Sequence, residues 1–408
     1  MAPLCLERAG AVPLTVDISV PDIKNSENFA SSLLPHTSRI RRLRLAGLSS
    51  IEAVADDLRG LFDSPMSNLA SLELQQTLEP GDLFPSAGTP VPPVFQNVSK
   101  LESVHLTRTP LYPTLFSIPS LRELKLLGYT NPFDFGTLMD FLRSNLRLEN
   151  LVLDLQFTAN SVEGAPSGTK VSLSRLRDLS IICSRATDSR GLLSCISLPR
   201  GVHIEITSTL SDTSAELCSF LPSPLTPVIE LLNPITTVKN QMTPRHLQVI
   251  GNSAKFTFRS PKGTTRDAHV DFIMFPTTAV RELYTNVYPN QYNDAAISDL
   301  VLALPALEVL AVTKTSFPAG LLPVLTTEPV LWPTLKTVAF LDCNTTADIV
   351  KKLGEAIAKR RYVTGAQVFR VVIISSTGTP LGVTSIQELR KSVPCVEIRV
   401  DDKFPDLT

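Results

Sequence analysis

The chain has 408 residues, 43% of them hydrophobic and 19% charged, with a mean hydropathy of +0.14. That apolar fraction, with a formal net charge of −1, excludes disorder over the whole length. The balance of 38 basic against 39 acidic residues leaves no positive field to gather phosphates, so no nucleic-acid partner is expected.

One six-residue pattern recurs along the chain: apolar, x, x, apolar, x, apolar. It reads IRRLRL (40–45), LASLEL (69–74), LESVHL (101–106), LRELKL (121–126), LENLVL (148–153) and LRDLSI (176–181). It returns as VRELYT (280–285), LEVLAV (307–312), LKTVAF (335–340), FRVVII (369–374) and CVEIRV (395–400). Each hexamer predicts a short strand, because residues two apart share one face of a strand. The spacing is close to that of a leucine-rich repeat, in which each coil lays its strand beside the previous one. The predicted fold class is therefore α/β: an irregular, horseshoe-like leucine-rich-repeat solenoid with a parallel concave sheet and outer helices.

Helical spacing of apolar residues predicts helices over 52–62, 134–145, 294–304 and 347–361, with Asp134, Asp294 and Thr346 as N-caps. Pro119, Pro305 and Pro333 each lie two residues before a hexamer and set up an extended approach to the strand. The ninth repeat position, normally Asn or Cys, reads Leu48, Thr77, Thr109, Tyr129, Gln156, Ser184, Thr315 and Cys343, so the usual ladder is mostly absent. Residues 203–279 carry few leucines and several prolines, among them Pro222, Pro224, Pro227, Pro234 and Pro244; they predict irregular coils with long loops, containing short β-like runs at 202–206, 255–258 and 269–274. Residues 79–94 and 158–170 predict exposed loops. The domain reading is a single array over 1–408, capped by 1–35 and 362–408.

The cysteines Cys5, Cys183, Cys195, Cys218, Cys343 and Cys395 are scattered with no C-x-x-C pair. They predict free thiols in a reducing compartment, and the N-terminus has neither a basic n-region nor an uninterrupted apolar run. A cytosolic or nuclear protein without a membrane span is expected.

Several stretches resemble a group of basidiomycete F-box proteins with degenerate leucine-rich repeats. They are Leu6-Glu7-Arg8-Ala9-Gly10-Ala11-Val12-Pro13-Leu14-Thr15-Val16-Asp17-Ile18, then Leu192-Leu193-Ser194-Cys195-Ile196-Ser197-Leu198-Pro199, and the strand approaches at Pro119, Pro305 and Pro333. The resemblance implies a receptor that brings substrates to a Skp–cullin ubiquitin ligase. In that family the F-box precedes the L-x-R-x-G segment; here Met1 stands five residues before Leu6, and nothing later resembles an F-box. A Skp-type adaptor is therefore implied only if an F-box lies upstream.

No catalytic, cofactor or metal constellation emerges. His36, His105, His203, His246 and His269 are far apart, and Gly164–Lys170 lacks phosphate-loop spacing. The basic clusters at Arg39, Arg41, Arg42 and Arg44, and at Lys359, Arg360 and Arg361, read as solvated faces in preference to binding patches.

In such a solenoid, hexamer positions 3 and 5 face a partner. Early coils supply Arg42, Arg44, Ser71, Glu73, Ser103, His105, Glu123 and Lys125, a polar strip of mixed charge. Late coils supply Val309, Ala311, Thr337, Ala339, Val371 and Ile373, a strip nearly free of charge. Two readings of the late strip stay open: an apolar patch for a protein partner, or a surface covered within the same chain. The expected function is monomeric, non-enzymatic protein recognition of an unidentified protein partner. The alternatives are an F-box-independent scaffold and an enzyme of an unrecognised α/β fold, marked by a cluster of His105, His203 or His246 with carboxylates.

Overall fold

A computed structural model describes residues 10–19, 31–48, 60–61, 63–76, 98–109, 118–128, 135–154, 170–208, 220–222, 226–242, 245–252, 254–260, 275, 277–285, 303–313, 321–326, 332–341, 347–364, 370–374, 383–393 and 395–399. The predicted N-caps Asp134, Asp294 and Thr346, most of helices 52–62 and 294–304, the run 269–274 and nearly all of loops 79–94 and 158–170 lie outside the described residues.

The chain is α/β with a mostly parallel sheet. It divides into two compact units: Met1–Thr207 with Phe220–Ser223, and Ser208–Ser219 with Pro224–Thr408. The division falls inside 203–279, where the hexamer pattern is missing.

In the first unit the strands are β1 (Leu14–Ser19), β2 (Ile40–Leu48), β3 (Ser71–Gln76), β4 (Ser103–Thr107), β5 (Glu123–Leu127), β6 (Asn150–Asp154), β8 (Asp178–Cys183) and β10 (His203–Ser208), side by side in that order. β1 through β8 pair in parallel, each with the next in the row. β7 (Val171–Ser172) and β9 (Ile196–Ser197) form a separate parallel pair. Helix α1 (Phe135–Ser144) follows β5, and α2 (Ala186–Cys195) follows β8.

β3, β4, β5, β6 and β8 each start at hexamer position 3, and a recurring tight turn precedes them. The N–H at position 1 donates to the carbonyl three residues earlier: Leu69 to Met66, Leu101 to Val98, Leu121 to Ile118, Leu148 to Asn145 and Leu176 to Leu173, at 3.0–3.3 Å. The same turn recurs at Val280–Thr277, Leu307–Leu304 and Leu335–Trp332. Pro119, Pro305 and Pro333 occupy the second residue of such turns, where a fixed φ suits the geometry. The carbonyl at position 2 then accepts from the next coil: Glu102 O takes the N–H groups of Arg122 and Glu123, and Arg122 O those of Glu149 and Asn150.

Positions 4 and 6 fill the core. Leu72, Leu74, Leu124, Leu126, Leu151 and Leu153 are all buried, each contributing roughly 1.5–3 kcal/mol. Thr109, at the ninth position, is buried, and its hydroxyl donates to Thr107 O at 3.1 Å and to Leu74 O of β3 at 3.4 Å. One coil thus keeps a side-chain bond to its neighbour where an Asn would ordinarily make it.

The second unit contains helix α3 (Thr226–Leu232), then β11 (Ile235–Met242), β12 (Arg245–Gly251), β13 (Lys255–Ser260), β14 (Glu282–Thr285), β15 (Val309–Thr313), β16 (Thr337–Leu341), β17 (Arg370–Ile374) and β18 (Cys395–Arg399). Helices α4 (Leu321–Thr326), α5 (Ala347–Thr364) and α6 (Val383–Ser392) fall between the late strands. The order is β13-β12-β11-β14-β15-β16-β17-β18, parallel from β11 onward. The segment 235–260 departs from the expected coils: β11, β12 and β13 form an antiparallel meander. Its connections, 243–244 and 252–254, are far shorter than the dozen or so residues a parallel crossover requires.

Among the described residues no helix is long and apolar enough to cross a membrane.

Candidate functional site

The first unit's strands alternate between fully buried and half-buried residues: β3, β4, β5 and β6 all place positions 3 and 5 on the half-buried side. Strand pairing arranges those positions in rows. One row runs Arg44–Glu73–His105–Lys125–Val152–Ser180 across β2 to β8, flanked on β1 by Asp17. A second runs Arg42–Ser71–Ser103–Glu123–Asn150–Asp178. The structure thus brings Arg42, Arg44, Glu73, His105, Glu123 and Lys125 onto one accessible face, together with Ser71 and Ser103.

The charges on this face are paired. Arg44 bridges Asp17 at 3.2 Å and Glu73 at 3.0 Å, and Arg42 reaches Glu73 at 3.5 Å. The hydrogen bond to Asp17 and the charge of Glu73 push the Arg44 guanidinium pKa up. Lys125 lies 2.6 Å from Glu123, His105 lies 3.2 Å from it, and the Ser103 hydroxyl donates to it at 3.0 Å. Burial raises the Glu123 pKa, but the hydrogen bonds from Lys125 and Ser103 and the charges of His105 and Lys125 outweigh it. Glu123 therefore stays below the ordinary carboxylate value.

Ser103, His105 and Glu123 have the residue types of a nucleophile relay but not its geometry. The His105 contacts to both Ser103 and Glu123 fall on the same nitrogen, Nε2, and Ser103 bonds Glu123 directly. A relay needs the acid on one ring nitrogen and the hydroxyl on the other. His203 stands 3.4 Å from Asp178, on another strand. The side chain of His246 lies outside the described residues. Among the described residues no three His, Cys, Asp or Glu groups are placed to hold a metal ion.

The late strip is different. Val309, Ala311, Thr337 and Ala339 do lie on one face, but all are buried, as is Tyr284 beside them. The apolar-patch reading is therefore corrected: Val309, Ala311, Thr337 and Ala339 are covered. Val371 and Ile373 are also misassigned. Thr337 pairs with Arg370 and Ala339 with Val372, so Val371 and Ile373 align with Val338 and Phe340 on the opposite face. In a strand a shift of one residue moves every side chain to the other face.

A further stripe sits at position 2, which the hexamer analysis left aside. Glu149 stands between Arg122 at 3.5 Å and Arg177 at 3.9 Å, and Glu308 between Arg281 at 3.8 Å and Lys336 at 2.8 Å. The signal was present in the residue types at that position. The basic clusters also resolve unevenly. Arg39 donates to the Val12 carbonyl at 3.1 and 3.2 Å. Arg360 is not on a solvated face: it is buried and donates to the Trp332 carbonyl.

Compared with known proteins, the chain matches no family model and no curated protein.

Proposed function

We propose that this chain is a non-enzymatic protein-recognition module, built as a leucine-rich-repeat-like solenoid, whose partner docks on the half-buried face of β2–β8. One observation carries the reading: a parallel sheet with one side sealed in the core and the other lined by paired but accessible charges. Such a face gives orientation and specificity to a protein contact, because approaching groups meet fixed charges at the edge of a low-dielectric wall. The resemblance to F-box receptors extends the reading to the substrate-binding repeat region of a ubiquitin-ligase receptor in the cytosol or nucleus, with a Skp-type adaptor engaged only if an F-box lies upstream.

The test compares proteins retained by immobilised wild type, by R44E/K125E and by K336E, quantified by mass spectrometry. Lys336 belongs to the other compact unit and is two-thirds exposed. The expected result is a protein retained by wild type and K336E but lost by R44E/K125E. An identical set on all three, with R44E/K125E still folded, removes the face from the account.

A further inference from the structure

The two ends of the accessible face differ in charge. From β1 to β5 it carries Asp17, Glu73 and Glu123 against Arg42, Arg44 and Lys125, three of each. From β6 to β10 it carries Asp154, Asp178 and Glu205 and no Lys or Arg, a formal charge of −3 with His203 neutral. Asp178 is 61% exposed. Asp154 accepts the Gly128 N–H at 2.9 Å, which fixes one carboxylate oxygen at the strand ends.

Larger aliphatic side chains of the face lie at this end and on the adjoining strand β5. Leu127, Val152 and Ile182 are half-buried at face positions of β5, β6 and β8. Ile182 pairs with Asp154, and Val152 pairs with Ser180 and with Lys125, whose ammonium is held by Glu123. Position 5 of every earlier strand from β2 to β5 is charged or a histidine; at β6 it becomes Val152.

Resting on the recognition reading above, we infer that the β6–β10 end of this face takes a partner segment in which Lys or Arg stands beside an aliphatic side chain. The aliphatic group covers Val152 and its neighbours, and the cation meets Asp154, Asp178 and Glu205. An acidic segment would set like charges against this end, and a nucleic-acid backbone would do so more strongly.

The test uses full-length protein and three fluorescein-labelled fifteen-residue peptides in a Gly/Ser background. Their centres are Lys-Leu-Arg-Ile, Glu-Leu-Asp-Ile and Lys-Ser-Arg-Ser, and binding is read by fluorescence anisotropy. The first should bind at least about tenfold more tightly than either other, and weaken as salt is raised. D178K/E205K should erase its advantage over the acidic peptide, and V152S its advantage over the Ser-containing one. Equal binding of all three, preference for the acidic peptide, no binding of any, or indifference to D178K/E205K overturns the inference. The recognition reading fails separately: a natural partner lost by R44E/K125E but kept by D178K/E205K leaves that reading standing and removes only this one.

Discussion

Ala339 on β16 takes Val372 on β17 as its partner across the strands, and neither side chain is exposed. Tyr284, Val309 and Ala311 join them in one buried cluster. This fixes which residues of the late strands face which way, and it removes the late sheet as a docking surface. Val152, the corresponding face residue of the first unit, is half-buried.

The two units should therefore answer differently to the same substitution. Val372→Asp buries a charge with no partner and should cost more than about 4 kcal/mol, or prevent folding. Val152→Asp should cost less than about 2 kcal/mol, since its carboxylate reaches water. Urea unfolding of both variants measures the difference.

Gly251 ends β12 where the backbone of α3 comes closest. A Cβ added there would lie 1.8 Å from the Leu232 carbonyl oxygen, closer than any contact allows. Because the obstacle is backbone, relief requires moving β12 or α3. Gly251→Ala should destabilise the second unit by roughly 1–3 kcal/mol, seen as a lower urea midpoint.

Thiol chemistry should follow burial. Cys183 is buried, and burial, assisted by the charges of Asp188 and Asp154 and opposed by a hydrogen bond with Ser189, pushes its thiol up to about 12. Burial also raises the half-buried Cys195. Cys395 is exposed. Among these three, iodoacetamide at pH 8 should modify Cys395 first, Cys195 more slowly and Cys183 only on unfolding. Peptide mapping by mass spectrometry reads the order; early modification of Cys183 would contradict its placement.

Glu123 links stability to pH. Its pKa is lowered in the folded protein, so its contribution is fully present above the ordinary carboxylate value and is lost as pH falls through the lowered one. Glu123→Gln should cost at most about 1 kcal/mol at pH 7. The gap between wild type and variant should narrow as pH falls below the ordinary carboxylate range, as urea titrations at neutral and acid pH would show.

The strands were legible in the sequence wherever one face is buried, because a period of two then survives in the residue types. All five hexamers from 69 to 181 became strands that start at position 3. The helices over 134–145 and 347–361 appear as Phe135–Ser144 and Ala347–Thr364. The pattern failed where both faces are packed. The run from Val368 to Ile374 is apolar in both registers apart from Arg370, which shares a face with the buried Val372, so burial does not separate the two faces in the residue types. The antiparallel meander was hidden because Gly251 and short polar turns carried no repeat signal. The charged early face was legible from positions 3 and 5. The aliphatic end at Leu127, Val152 and Ile182 was not, because single aliphatic residues on separate strands form no run in the sequence and come together only through strand pairing.

The measurement that bears most directly on where recognition takes place is accessibility of the two faces in the native protein. Val152→Cys and Val372→Cys would each be labelled with a maleimide, and the rates compared with that of Cys395 by peptide mapping. We expect Val152→Cys to react within about tenfold of Cys395, and Val372→Cys to stay protected until the protein unfolds. Rapid labelling at 372 with protection at 152 would place the open face on the late strands and contradict the account.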